Sequence, residues 1–330
     1  MLRRLITNRN LTRLLVDQKL TSRLLTPSVV STKCLSSESV NEQNFSSSVD
    51  DREIRQFRSM SDSWWIENGE FEPLHMLNLL RVPLVRDVMV NYRNSLPPNV
   101  RQTMLAYSLE GEEQKIYSNQ ELDREPLLGL NIIDIGCGGG LFSEPLARLG
   151  AQVTAIDACK ENIIAAQLRM QTQQDKLGVD SCKFYDRLRY IHCTVEDLTA
   201  VEENYDYFDA VVCSEVVEHV NNLPEFISNS AKLLKNQGFA FYTTINRTPD
   251  SYFSTILAAE YLLNLVPKGT HSWEKFVKPE ELKDILTKNE VFCKFEMGMM
   301  YNPLTRKWCW SEYKRNNYAL YAQKFKTKID

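Results

Sequence analysis

No pair of cysteines in this 330-residue chain stands in C-x-x-C spacing, although eight are present. That absence argues against a zinc ribbon and against a disulfide framework, which clusters its cysteines in short secreted domains, so reduced thiols in an intracellular compartment are expected. There is no internal repeat, and the N-terminus lacks the continuous apolar core of a secretory signal. Acids are almost missing from the first 37 residues: Asp17 stands alone against Arg3, Arg4, Arg9, Arg13, Lys19, Arg23 and Lys33. The formal net charge is -4, so the residues beyond 37 carry about -10, which argues against general nucleic-acid affinity.

Leu2, Leu5, Ile6, Leu11, Leu14 and Leu15 alternate with those bases. A helix through them has one basic and one apolar face, the composition of a mitochondrial transit peptide. Residues 35–50 are rich in Ser, Asn and Glu and read as a linker. The expected domains are therefore residues 1–50 as transit peptide and linker, 51–127 as a helical N-terminal lid, and 128–330 as the catalytic domain. Helix is expected over 51–90 and polar loop over 91–125.

From Leu128 onward the pattern is regular. Apolar runs at 130–135, 152–157, 190–194, 208–214 and 239–245 alternate with helical stretches at 141–149, 161–174 and 223–235. Two last strands are expected at 291–300 and 318–325, meeting as a hairpin at an edge. This predicts an α/β fold: a doubly wound, mostly parallel, seven-stranded sheet.

The first of those strands ends in Asp134-Ile-Gly136-Cys-Gly138-Gly-Gly140. Glycines placed directly after a buried strand let the backbone turn sharply and approach a ligand closely. A dinucleotide loop needs a small residue three positions after Gly138, and Leu141 stands there instead. The acid and glycines at alternate positions resemble the first motif of class I methyltransferases, which cradles the amino-acid part of S-adenosylmethionine. Asp157 ends the next strand, where a carboxylate can accept hydrogen bonds from both ribose hydroxyls. Glu196-Asp197, after the third strand, can meet the adenine amino group or cap a helix.

Four further segments narrow the resemblance: Trp64-Trp-Ile-Glu-Asn-Gly-Glu-Phe-Glu-Pro-Leu-His75, Ser214-Glu-Val-Val-Glu-His219, Thr243-Thr-Ile-Asn-Arg-Thr248 and Val266-Pro-Lys-Gly-Thr-His-Ser-Trp273. Together with the glycine loop they resemble the mitochondrial ubiquinone-biosynthesis O-methyltransferase family over residues 51–324. The resemblance implies methylation of catechol hydroxyls on polyprenylated rings. It also implies that Arg81, Gly136, Asp157 and Ser214 contact S-adenosylmethionine, Arg81 by pairing with the methionine carboxylate. The polar residues 91–125 depart from the shorter connector of bacterial relatives.

Glu215, Glu218 and His219 follow the fourth strand. If helical, they share one face and can converge on magnesium or manganese, with zinc also open. The resemblance likewise implies a divalent metal there. A phenol titrates near pH ~10, so the reaction needs help to form phenolate, from such a cation or from His219 as general base. The apolar stretch from Tyr252 to Val266, followed by Lys268, Trp273, Lys275, Phe276 and Lys278, is too short and polar to span a bilayer. Residues 251–279 are therefore expected to be either a core helix or an interfacial, substrate-facing segment. The resemblance further implies peripheral contact with the matrix side of the inner mitochondrial membrane and membership of a multi-subunit ubiquinone-synthesis complex. Two alternatives stand beside it: a non-catalytic subunit that binds S-adenosylmethionine, and a methyltransferase for another small phenol.

Overall fold

In a computed structural model of the chain, residues 48–50, 54, 55, 58, 61–66, 68–96, 119–252 and 273–326 are described. The expected targeting segment, residues 97–118 of the polar stretch and residues 253–272 of the apolar stretch lie outside them.

Five apolar runs form parallel strands: β1 (Asn131–Ile135), β2 (Gln152–Asp157), β3 (Leu188–His192), β4 (Phe208–Ser214) and β5 (Leu234–Ile245). Three antiparallel strands follow: β6 (Val291–Asn302), β7 (Lys307–Ser311) and β8 (Asn317–Lys324). The order across the sheet is β3-β2-β1-β4-β5-β8-β6-β7. The sheet thus has eight strands where seven were expected. The two last expected strands do pair, but β6 first turns back into β7, and β8 slots between β5 and β6 instead of lying at the edge. The reversal is made by Asn302, whose side-chain oxygen accepts the N–H groups of Leu304 and Thr305, a local turn that a short, half-exposed strand does not announce in its hydropathy.

The helices are α1 (Glu72–Ser95), α2 (Asn119–Arg124), α3 (Ser143–Arg148), α4 (Lys160–Leu177), α5 (Val195–Thr199), α6 (Leu223–Leu233) and α7 (Pro279–Lys288). Helix α1 starts with Pro73 in its first turn, where the missing N–H costs nothing. It ends at Ser95 because Leu96 is extended ahead of Pro97. Its buried residues are Leu77, Arg81, Val85, Met89 and Arg93, a single row at four-residue spacing. The expected helix over 51–90 is corrected: Ser61–Ser63 is one 3-10 turn, residues 64–66 and 68–71 are not helical, and α1 runs five residues into the expected loop. Likewise α6 stops at Leu233, and Gly238 falls in β5 beside a register shift rather than after a helix.

Along each strand, side chains alternate between faces. One core gathers Ile132, Val153, Ala155, Ala210, Val212, Phe239 and Phe241 from the sheet with Val85 and Met89 of α1, Leu146 of α3 and Ile163 of α4. Each such aliphatic side chain withdrawn from water stabilises the fold by about 1.5–3 kcal/mol, before the entropy of ordering it is subtracted. Helices α6 and α7 contact β4, β5, β6 and β8. Strand order reverses between β2-β1 and β4, so a crevice opens at the carboxyl ends of these strands, where doubly wound sheets bind their ligands.

Candidate cofactor and acceptor site

That crevice is a cavity of about 460 Å³. Arg81, Asp134, Gly136, Gly138, Asp157, Ser214, Glu215, Glu218 and His219 all line it, so residues spread over 139 positions are brought to one place. Gly140 and Asp197 do not line it.

The glycine loop is shaped by its neighbours. Gly136, Gly138 and Gly140 have φ of +73°, +54° and +84°, left-handed values that other residues reach only at a cost. A Cβ on Gly140 would fall 2.1 Å from the Tyr190 hydroxyl, so this third glycine serves packing rather than ligand approach. A Cβ on Gly138 would fall 2.4 Å from the Trp64 ring. Asp134, at the end of β1, is buried and accepts a hydrogen bond of 2.5 Å from Ser143. Burial pushes its pKa up to about 6, a rise that the Ser143 bond and the Arg81 charge only partly offset. Asp157 accepts hydrogen bonds from the backbone N–H groups of Gly138 (2.8 Å) and Cys159 (2.7 Å) and from the Asn162 amide (3.2 Å). Burial raises its pKa as well, with those donors working in the opposite direction.

Arg81 reaches in from α1. Its guanidinium donates to Ser214 Oγ (2.6 Å), Asn78 Oδ1 (2.7 Å) and the Leu74 carbonyl (3.4 Å), and lies 4.5 Å above the Phe142 ring. Burial lowers its pKa to about 10, while Asp134 and Glu215 favour the charged form, so it is a cation at physiological pH. Those three bonds leave two of its five N–H groups for an anionic ligand among the described residues. Ser214 Oγ also lies 2.5 Å from Thr243 Oγ1, which completes an arginine–serine–threonine chain across β4 and β5.

The acidic segment departs from expectation. Glu215, Glu218 and His219 are not on one helical face, because Glu215 sits at φ +56° ahead of a single 3-10 turn, Val217–His219. A left-handed glutamate stores of order 1 kcal/mol of strain, the kind of outlier that clusters at functional sites. Glu218 is buried and accepts a bond of 2.7 Å from Thr244 Oγ1. All three side chains border the cavity, but among the described residues no three His, Cys, Asp or Glu side chains come together as a metal site.

Asp197 is used locally: it accepts from the Thr194 N–H while Thr194 accepts from its own N–H, a reciprocal cap on α5. Its neighbour Glu196 faces the cavity and takes a bond of 2.6 Å from Ser48. Sequence reasoning missed Thr243, Thr244, Asn162 and the roofing role of Trp64. The threonine pair and Trp64 lay within quoted motifs, but nothing in the spacing said which groups they touch.

A buried acid beside a glycine turn, a second acid closing β2 and an arginine at the β4 end define an S-adenosylmethionine-dependent methyltransferase, and a family model described as "Methyltransferase domain" matches residues 92–290. The chain is 41% identical over 279 residues to the mitochondrial ubiquinone biosynthesis O-methyltransferase of Rattus norvegicus, covering 84% of this chain and 70% of the rat protein. It is 41% identical to the same-named protein of Homo sapiens, of which it spans 65%, and 38% identical to the ubiquinone biosynthesis O-methyltransferase of Pelagibacter ubique, of which it spans 92%. The chain belongs to the ubiquinone biosynthesis O-methyltransferase family. Among solved structures, the magnesium protoporphyrin IX methyltransferase of Synechocystis matches 72% of the chain at 20% identity and a TM-score of 0.42.

Proposed function

We propose that the chain transfers the methyl group of S-adenosylmethionine to a catechol hydroxyl of polyprenylated ubiquinone precursors, a dihydroxybenzoate and a demethylubiquinol. The observation that carries this is that Asp157, Arg81, Glu218 and His219 all line one cavity. The names of the relatives support the acceptor class. Asp157 takes the ribose hydroxyls, Arg81 the methionine carboxylate, and Glu196 rather than the capping Asp197 is the better placed acid for adenine.

Methyl transfer is an in-line displacement at the sulfonium methyl, so the enzyme must hold donor and phenol in line and remove the phenol proton as the bond forms. His219 is assigned as the base, because it is the one imidazole among the three side chains that border the cavity at this segment. Glu218, fixed by Thr244, orients it or the second hydroxyl.

The test is transfer of labelled methyl from S-adenosylmethionine to a prenylated catechol, with and without EDTA. His219→Ala and Glu218→Ala are expected to lose at least about a hundredfold in kcat, the usual scale of general-base loss, while binding S-adenosylhomocysteine as the unchanged protein does. Loss of cofactor binding would overturn their assignment. Activity abolished by EDTA and restored by magnesium assigns a cation to Glu215, Glu218 and His219, and full activity in EDTA removes it.

The location completes the reading. A mitochondrial transit peptide in residues 1–50, peripheral attachment to the matrix face of the inner membrane through residues 251–279, and a place in a ubiquinone-synthesis complex suit a substrate whose tail lies in the bilayer. The helical lid of 51–127 belongs to the same proposal. Among the described residues no helix is long and apolar enough to cross a membrane.

A further inference from the structure

The segment Ser61–Phe71 lies on the glycine loop through two tryptophans. Trp65 donates its indole N–H to the Gly139 carbonyl (2.8 Å), and Arg169 of α4 packs over its ring at 4.1 Å. Trp64 goes further: its ring lies so close that a Cβ on Gly138 or Gly139 would fall 2.4 or 2.3 Å from it. Phe71 stacks on it at 3.7 Å, and the His75 ring bonds its carbonyl at 2.8 Å. Trp64 is thereby buried, although it borders the cavity.

Its indole N–H donates to Asn162 Oδ1 at 2.9 Å, and Asn162 Nδ2 donates to Asp157 Oδ1 at 3.2 Å. This chain has one direction only. An indole can only donate, so the amide must present its oxygen to Trp64 and its nitrogen to the carboxylate. Asn162 is itself buried, at 3% exposure, so water does not replace either partner. Asp157 therefore has one donor supplied by α4 whose orientation is set from the N-terminal segment, besides the backbone donors of Gly138 in the glycine loop and Cys159 in its own.

We propose that Trp64 and Asn162 are positioning residues that carry the seating of the N-terminal segment to Asp157, so that the cofactor's ribose is gripped fully only when this segment lies on the glycine loop. The inference rests on the reading of Asp157 as the ribose acceptor. It makes the segment a determinant of cofactor affinity rather than of the methyl-transfer step.

The experiment is a double-mutant cycle on the full chain, read by calorimetric titration with S-adenosylhomocysteine and by steady-state kinetics. Trp64→Phe keeps an aromatic ring and removes the donor; Asn162→Leu keeps the bulk and removes both bonds. Asn162→Leu is expected to weaken binding about tenfold, the scale of one hydrogen bond to a charged group, and Trp64→Phe about fivefold, the scale of a neutral bond; both are expected to raise KM for S-adenosylmethionine with kcat changed less than twofold. In an Asp157→Asn background the same changes are expected to cost less than twofold, since the group they act on is gone. Losses that add in full in that background overturn the coupling, as does unchanged affinity in Trp64→Phe. If Asp157→Asn alone leaves affinity unchanged, the ribose reading falls and the inference with it. Should Asn162→Leu fail to fold, as a thermal melt would show, Trp64→Phe carries the cycle alone.

Discussion

At the β1–β2 end of the cavity the side chains are held by near neighbours in sequence: Asp134 by Ser143, nine residues on, and Asp157 by Cys159, Asn162 and Gly138, within 19 residues. At the β4–β5 end the partners are far apart. Arg81 meets Ser214 across 133 positions, Ser214 meets Thr243 across 29, and Thr244 meets Glu218 across 26. The first end is built mainly from the turns that follow β1 and β2, with Trp64 reaching it from a distance through Asn162. The second exists only after the whole sheet has assembled.

The largest test of this contrast is Gly138→Val. It places a branched side chain at φ +54° and against the Trp64 ring, so conformational strain of about 1–2 kcal/mol adds to overpacking of about 1–3 kcal/mol. Calorimetry is expected to show S-adenosylhomocysteine affinity lowered at least about a hundredfold, with a lower melting temperature. Affinity kept within threefold would mean that this loop is not the cradle and that the local end has been misread.

A pH series sharpens the same end. The Asp134 pKa is raised by burial from 3.8 to about 6. The folded state therefore binds its proton more tightly than the unfolded chain, and this group's contribution to stability falls as pH rises from about 4 to 6 and is constant above. A shift of that size corresponds to about 3 kcal/mol. Asp134→Asn cannot ionise, so its stability relative to the unchanged protein should decline by up to that amount as pH falls from 7 to 4. Denaturant melts at four pH values measure it, and a difference independent of pH would show that Asp134 is not the buried, uncharged-favouring acid described.

The same contrast decides what could be read from the sequence. β1, β2 and β4 follow from their apolar runs, the glycine turn from the glycines directly after β1, and the two acids Asp134 and Asp157 from their places at strand ends. β7 escaped because Lys307-Trp-Cys-Trp-Ser buries little of its surface. The helical reading of Glu215–His219 failed because i, i+3, i+4 spacing is only a necessary condition. The left-handed Glu215, whose N–H is held by the Thr243 carbonyl, ends the strand without starting a helix. Asp197 was ambiguous in sequence, since an acid after a strand suits a ligand or a cap equally, and Thr194 three residues earlier resolved it toward the cap. Trp64 and Asn162 were unreadable as partners, 98 positions apart.

The smallest and most discriminating test lies within two adjacent residues. Thr243 and Thr244 of β5 point to opposite faces, as successive strand residues must: the first bonds Ser214 beside Arg81, the second bonds Glu218. Both are buried, so replacing either by valine removes one hydroxyl with little change of shape and strands one polar partner, worth about 1–2 kcal/mol or roughly tenfold. Thr243→Val should therefore raise KM for S-adenosylmethionine several-fold and leave kcat nearly intact, because it loosens the anchor of Arg81. Thr244→Val should lower kcat several-fold and leave cofactor affinity within twofold, because it loosens Glu218. Steady-state kinetics on the two variants reads this as a crossed pattern. If both variants change KM and kcat alike, then the cavity is one cooperative unit and its division into a cofactor end and an acceptor end is wrong.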